Sequence, residues 1–457
     1  MYPNPFDVDW AKHDTDDFAM APVSKGNQTL CNPLSMIPSR NIQCDFVAVL
    51  VQLIQPHTHA QTSWVYFQYK IRRTLMIRID EIYNNTFWPW FQKNRPGYRV
   101  FHCDPFGRSD PDSVVNYGSD TAHEHNYIFI YDQEPIHLDI HMATFEKVIT
   151  LNADIHSNIY HNRLTGAWSM IPRADGEFPG YLLTSERNSE NVEYVCAHFK
   201  WKPAYYFFHG WAALDWYRGY DKTFLIQPIR ERTITRTFIA PNRIVAGERR
   251  HRLEMLYYIF KNNMTHNHIS CPDTCPAENI SIHSAINPLA AKYPDIESVF
   301  AAQTLPINFT NETDHPMHSC WLSLFDESSE SLLYLVTETV ATGRRHHLTE
   351  KTFKPIALGM PFVIVGTRGS LEYLRSYGFR TFGDIWDESY DSADDSVRIE
   401  RIAELLKSLD ILSTEAKQLL FNRAQEVIDH NWNHFYNGGF ESVLWTELNE
   451  MLAQIDS

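Results

Sequence analysis

Strand-like and helix-like stretches alternate at short pitch along residues 332–382, and this alternation narrows the fold more than anything else in the chain. "LLYLVTE" (332–338) is an apolar run ending on a carboxylate, and residues 349–358 carry a helical pattern. "FVIVG" (362–366) is a second apolar run, "SLEYLRSYGF" (370–379) is helical and stopped by Gly378, and "RTF" (380–382) reads as a short strand. Strands that are apolar along their whole length are covered on both faces, and in βαβ order that predicts a parallel sheet between helices. Upstream, "RTFIA" (236–240) predicts a strand, and "RRHRLEMLYYIFKNN" (249–263) a helix with Leu253, Leu256, Tyr257 and Phe260 on one face.

The N-terminal half predicts a second α/β unit. Its expected strands are "FVAVLVQLI" (46–54), "NYIFIYDQEP" (126–135), "KVITLNA" (147–153), "YLLTSE" (181–186), "YVCAHF" (194–199) and "AYYFFHG" (204–210), with an aromatic helix over 62–95. The 457 residues suffice for more than one core. The reading is therefore α/β: an irregular lead-in (1–45), an α/β domain (46–230), a second Rossmann-like domain (231–400) and C-terminal helices (401–457), with the two domains facing a cleft. No window reaches the ~20 apolar residues that span a bilayer. The N-terminus shows no basic and apolar signal pattern, so a cytoplasmic protein is expected. Seven cysteines at irregular spacing make neither a disulfide framework nor a zinc set. A net charge of −16 argues against coating nucleic acid by bulk electrostatics.

The residues that can carry chemistry cluster at two strand-to-helix turns. In "HHLTEKTFKPIALGMPFVIVG" (346–366), Thr349 can cap a helix starting there, or Pro355 can sit in the first turn of one starting near Thr352. Either start presents free N–H groups to an anion. Lys351 adds a mobile charge for a diphosphate, and Glu350 can accept from a ribose diol. Taken alone these residues fit an ordinary cap with a solvated lysine better. Asn242, Arg243, Arg249, Arg250, His251 and Arg252 surround the other turn, where guanidinium forks match phosphate oxygens. Glu338 stands at a strand end. The bland alternatives are a solvated basic face and a loop acid.

The stretch "VTET…HHLTEKTFKPIALGMPFVIVG", extended to "LTEKTFKPIALGMPFVIVGTRGSLEYLRSYGFRTFGDIWDESYD" (348–391), resembles the donor-binding half of the fucosyltransferase-like glycosyltransferases of GT-B architecture. It resembles phage and large-virus proteins of that type more closely still. The match covers about residues 236–262 and 332–391. The resemblance implies transfer of a sugar from a nucleotide-diphosphate donor, with Glu350 on the ribose, and Lys351 with an arginine of 243–252 on the pyrophosphate. It also implies Glu338 beside the donor sugar and His347 near the base, where the family carries an aromatic residue. No metal or other cofactor is implied.

The catalytic base is expected from the opposite wall, where an acceptor hydroxyl must lose its proton. Asp132 and Glu134 in "IYDQEP" are the first candidates, and His209 in "FFHGW" is placed against acceptor or phosphate. The acidic "DESYDSADD" (387–395) and the D-x-D pairs at 7–9 and 110–112 are not read as metal sites. The acceptor is a glycan or a modified nucleobase. The rivals are a nucleic-acid-binding module with basic segments 71–78 and 227–252 as its footprint, and a non-catalytic nucleotide-binding protein.

Overall fold

The computed structural model describes residues 86–94, 99–103, 114–116, 127–131, 134–139, 142–143, 145, 160–162, 167–169, 180–218, 232–309 and 322–456. The strands expected at 46–54 and 147–153, most of the helix expected at 62–95, and Asp132 lie outside them.

Two parallel-rich sheets are present. The first comprises β1 (Arg99–Cys103), β2 (Val114–Asn116), β3 (Tyr127–Ile130), β4 (Gly180–Thr184) and β5 (Trp201–Tyr205), in the lateral order β2-β1-β3-β4-β5. All neighbours are parallel except β2. The second comprises β6 (Arg236–Ala240), β7 (His268–Ile269), β8 (Ser331–Thr337) and β9 (Phe362–Val365), in the order β9-β8-β6-β7, all parallel. β8 and β9 are buried along their whole lengths, as continuous apolar strands between helical layers must be.

The helices that position the site are α1 (Glu190–Phe199), α2 (Phe208–Arg218), α3 (His251–Lys261), α4 (Glu350–Leu358) and α5 (Ser370–Ser376). After them come α6 (Asp395–Asp410), α7 (Thr414–Arg423), α8 (Gln425–Tyr436) and α9 (Gly439–Asp456). From β6 the chain passes through α3 to β7 on one side, then returns to β8 on the other side of β6. The carboxyl ends of β6 and β8 therefore flank a topological switch point, where open α/β sheets form their binding crevice. Both basic and Thr-Glu-Lys turns lie at this edge.

Several expected elements differ. Residues 194–199 belong to helix α1 and not to a strand. The Ser189 hydroxyl accepts the Val192 N–H, and Val192, Val195 and Cys196 fall on one buried face. His209 and Gly210 do not end a strand: β5 stops at Tyr205, and both residues lie in the first turn of α2. Gly210 is required by packing, since a Cβ there would come within 2.8 Å of the Phe440 ring and 3.0 Å of Leu444 on α9. Residues 380–382 form no strand. Helix α4 begins at Glu350 with Thr349 as its cap, so Pro355 sits inside it. The acidic run near 387–391 serves internal contacts: the Asp391 carboxylate accepts the Leu371 and Glu372 N–H groups that open α5, and Glu388 accepts from Thr381 and Phe382.

The two sheet units meet through four sets of contacts. α4 packs on α2. Phe207, between β5 and α2, stacks among Phe353, Tyr373, Tyr377 and Phe440. Glu447 on α9 accepts from the Phe207 N–H, the Tyr377 hydroxyl and the Arg187 guanidinium. Finally, the strap 339–349 between β8 and α4 crosses to the first unit. His346 and Arg187 exchange backbone hydrogen bonds of 2.9 and 2.7 Å, and Glu190 N–H donates to Arg344 O. On its other flank Arg398 donates to Ala341 O, and Asp395 accepts the Gly343 N–H.

Candidate functional site

Glu338, the first residue beyond β8, joins the two turns. It is 0% exposed. Its main-chain oxygen accepts from His251 Nε2 at 2.9 Å and from the Arg252 guanidinium at 3.0 Å, which fixes the start of α3. Its carboxylate takes Thr349 N–H (3.1 Å) and the Thr352 hydroxyl (2.6 Å) on Oε1, and the Thr349 hydroxyl (2.6 Å) and Thr339 N–H (3.2 Å) on Oε2. Both expected turns are thus held by one residue. Glu338 is occupied by protein groups and positions the corner.

From that corner Glu350 and Lys351 project toward the first unit. The Lys351 ammonium donates to Glu350 Oε1 at 2.7 Å and lies near the Thr349 and Thr339 hydroxyls, with its side chain 31% exposed. Glu350 is 6% exposed, and its other oxygen lies 3.7 Å from His209 Nδ1 on α2. Burial pushes the Glu350 carboxyl up. The Lys351 ammonium beside it, with smaller contributions from the His209 ring and Lys354, more than reverses this and brings it down to about 2, so it is ionised across the ordinary pH range. His347, 1% exposed, stands edge-on to His209 with ring centroids 5.2 Å apart.

The arginines divide. Arg252 is buried and spends its guanidinium on the carbonyls of Ile244, Thr337 and Glu338. Burial brings it down to about 9, with Glu338, Glu350 and Glu134 among the charges that act on it. Asn242 likewise ties strand ends together, accepting the Thr337 hydroxyl and donating to Ala240 O. Arg243 is partly buried beside it. Arg249 instead reaches across to the first unit, 3.6 Å from Glu134, and His137 lies 3.5 Å from Glu248. Three basic residues near the seam, His137, Arg345 and Lys354, were not singled out from the sequence. Arg345 reaches Ile136 O and Glu186, whose buried carboxylate also takes the Ile136 N–H. The doublet Arg344-Arg345 ahead of the two histidines was the available signal.

Within the described part of 227–252 the basic residues do not form an exposed stripe. Arg232 is buried on the carbonyls of Ser328 and Leu358, and Arg252 points inward. The segment 71–78 lies outside the described residues. Among the described residues no group of three or more His, Cys, Asp or Glu is arranged to hold a metal ion, and no helix is long and apolar enough to cross a membrane. A hollow of about 540 Å³ lined by Tyr257, Tyr258, Lys261 and Tyr293 lies at the far end of α3, away from this corner.

His251 yields a pH prediction. Burial first, then the Arg252 and Arg249 charges, push it down to about 3, and the neutral ring donates from Nε2 to Glu338 O. A base depressed in the fold supports stability above its unfolded pKa near 6.5 and loses that support as pH falls toward 3. By pH 5 this one group costs about 2 kcal/mol relative to pH 7. The buried carboxyls of Glu186, Glu388, Asp391 and Glu447 are raised and act in the opposite sense. The contrast with His251→Gln, whose amide can keep the bond, isolates the histidine. Urea titrations should show the wild type losing stability faster than the variant between pH 6.5 and 5, and equal slopes would contradict it.

No protein-family model and no curated protein matches the sequence. Among solved structures, a DNA-modifying β-glucosyltransferase determined with and without uridine diphosphoglucose aligns at a TM-score of 0.35 and 10% identity, over 70% of this chain and 74% of its own.

Proposed function

We propose that this chain is a glycosyltransferase of the fucosyltransferase-like GT-B kind, acting in the cytoplasm on a nucleotide-diphosphate sugar and an acceptor hydroxyl. One observation carries the reading: Glu338 binds the basic turn through its carbonyl and the Thr-Glu-Lys turn through its carboxylate, so both stand at one switch-point crevice. The diphosphate lies against Lys351, with Arg249 and Arg243 at its flank. Arg249 exchanges its Glu134 partner for phosphate oxygens. The acceptor oxygen attacks the anomeric carbon, the bond from that carbon to the phosphate oxygen breaks, and the nucleoside diphosphate leaves. The hydroxyl proton goes to His209, with the ionised Glu350 behind its imidazole to stabilise the cation. Glu134 is thereby given to Arg249, while Asp132 stays a candidate base on sequence alone. A glycan or a modified nucleobase fits as acceptor, and a phage or large-virus origin fits the motif.

Calorimetry with UDP, GDP and their sugars tests this. Lys351→Met should weaken nucleoside diphosphate binding by about 10- to 100-fold, the size of a lost charge-assisted contact. A wild-type protein that neither binds a nucleoside diphosphate nor hydrolyses any sugar nucleotide on long incubation would remove the transferase reading.

A further inference from the structure

His347 is a costly side chain to bury in the seam. It is 1% exposed, and among the described residues neither of its ring nitrogens has a hydrogen-bond partner. A buried polar group left unpaired is a net liability, because it gives up its water bonds and gains nothing in return. A phenylalanine would fill such a place with no such loss. Proteins tolerate local costs of this kind mainly where function needs the group.

Its surroundings indicate what the ring is for. The elements packed around it supply His209 from α2, Arg345 from the strap, Lys351 from α4 and His137 from the loop after β3, all of which act on it electrostatically. The ionised Glu350 lies beside Lys351 and His209. Burial first, and then those basic neighbours, hold His347 well below its usual range. It is therefore a neutral ring offering one N–H donor and one acceptor in a field that favours an anion.

We propose that His347 donates a hydrogen bond to a phosphate oxygen of the bound nucleoside diphosphate, beside Lys351, and does not stack on the base. This rests on the donor-binding reading above and assigns one more residue of that site to phosphate. The edge-on contact with His209 fits this role, because it orients the ring's plane without offering a broad face to a base.

Three proteins and three probes test it: wild type, His347→Phe and His347→Gln, each titrated with a nucleoside diphosphate (UDP or GDP), the matching nucleoside, and inorganic pyrophosphate. The phenylalanine variant should melt about 1–3 °C higher than the free wild type, since an orphaned polar ring is gone. It should bind nucleoside diphosphate and pyrophosphate about 10- to 100-fold more weakly while its nucleoside affinity is unchanged. His347→Gln, which keeps an amide donor, should recover part of the loss and covers the case of a phenylalanine variant that fails to fold. Equal losses for nucleoside and diphosphate would mean the ring stacks on the base, and unchanged affinity for all three probes would leave it a core residue; either overturns the proposal. If the wild type itself binds neither nucleoside diphosphate nor pyrophosphate, the underlying donor site has failed, a result visible before any variant is compared.

Discussion

Glu338→Gln should destabilise the protein by about 3 kcal/mol, nearly as much as Glu338→Ala, although it is isosteric with the native side chain. The reason is the arrangement of donors. Each carboxylate oxygen faces one backbone N–H, from Thr349 on Oε1 and from Thr339 on Oε2, together with a threonine hydroxyl. A hydroxyl can rotate to become an acceptor, whereas a peptide N–H cannot. Whichever way the amide is turned, its NH2 meets a fixed donor and both groups are left unpaired in a site closed to water. Thr352→Val removes one donor and leaves the carboxylate three, so it should cost only about 1 kcal/mol. Denaturant unfolding measures both, and a Gln variant as stable as the wild type would show that Glu338 is not the joint between the turns. Because α3 and α4 are both fixed through this residue, the Gln variant should also lose nucleotide binding at temperatures where it is still folded.

The second sheet was legible in the sequence because its central strands are apolar on both faces. β6, β8, β9, α3 and α4 fall where periodicity placed them, with Thr349 as the cap of α4. The chain from Ser189 to Gly210 was misread because β-branched and aromatic residues are shared by strands and by buried helices. In "YVCAHF" the helical period appears only when Val192 and the Ser189 cap are included. The chemistry was legible at the level of turns and not of partners. A sequence shows that Arg252 and Asn242 stand near a strand end. It does not show that the Thr337 and Glu338 carbonyls and the Thr337 hydroxyl, more than 80 residues away in the chain, will occupy them. Conversely, Arg345 and His137 become neighbours of the seam only through the strap's backbone bridge to Arg187, a contact between residues more than 150 apart with no local pattern to announce it.

Removing the imidazole of His209 should have the largest effect on activity. With His209→Gln, turnover should fall by about 10²- to 10⁴-fold, the span of general-base catalysis, with donor affinity within a factor of about two of wild type. Glu350→Gln then separates the two roles open to that carboxylate. If it backs His209, turnover falls and diphosphate affinity holds or rises, since a negative charge beside Lys351 has been removed. If it holds the ribose, nucleoside and diphosphate affinity both fall, while turnover at saturating donor changes little. The position of Glu350 favours the first result: one oxygen is taken by Lys351, the other faces His209, and little of the residue is open to a ligand. Full turnover in His209→Gln would return the base to the loop after β3, where Glu134 is held by Arg249 until a diphosphate displaces it. In that case Glu134→Gln should abolish turnover while slightly tightening donor binding, because Arg249 would already be free of its carboxylate.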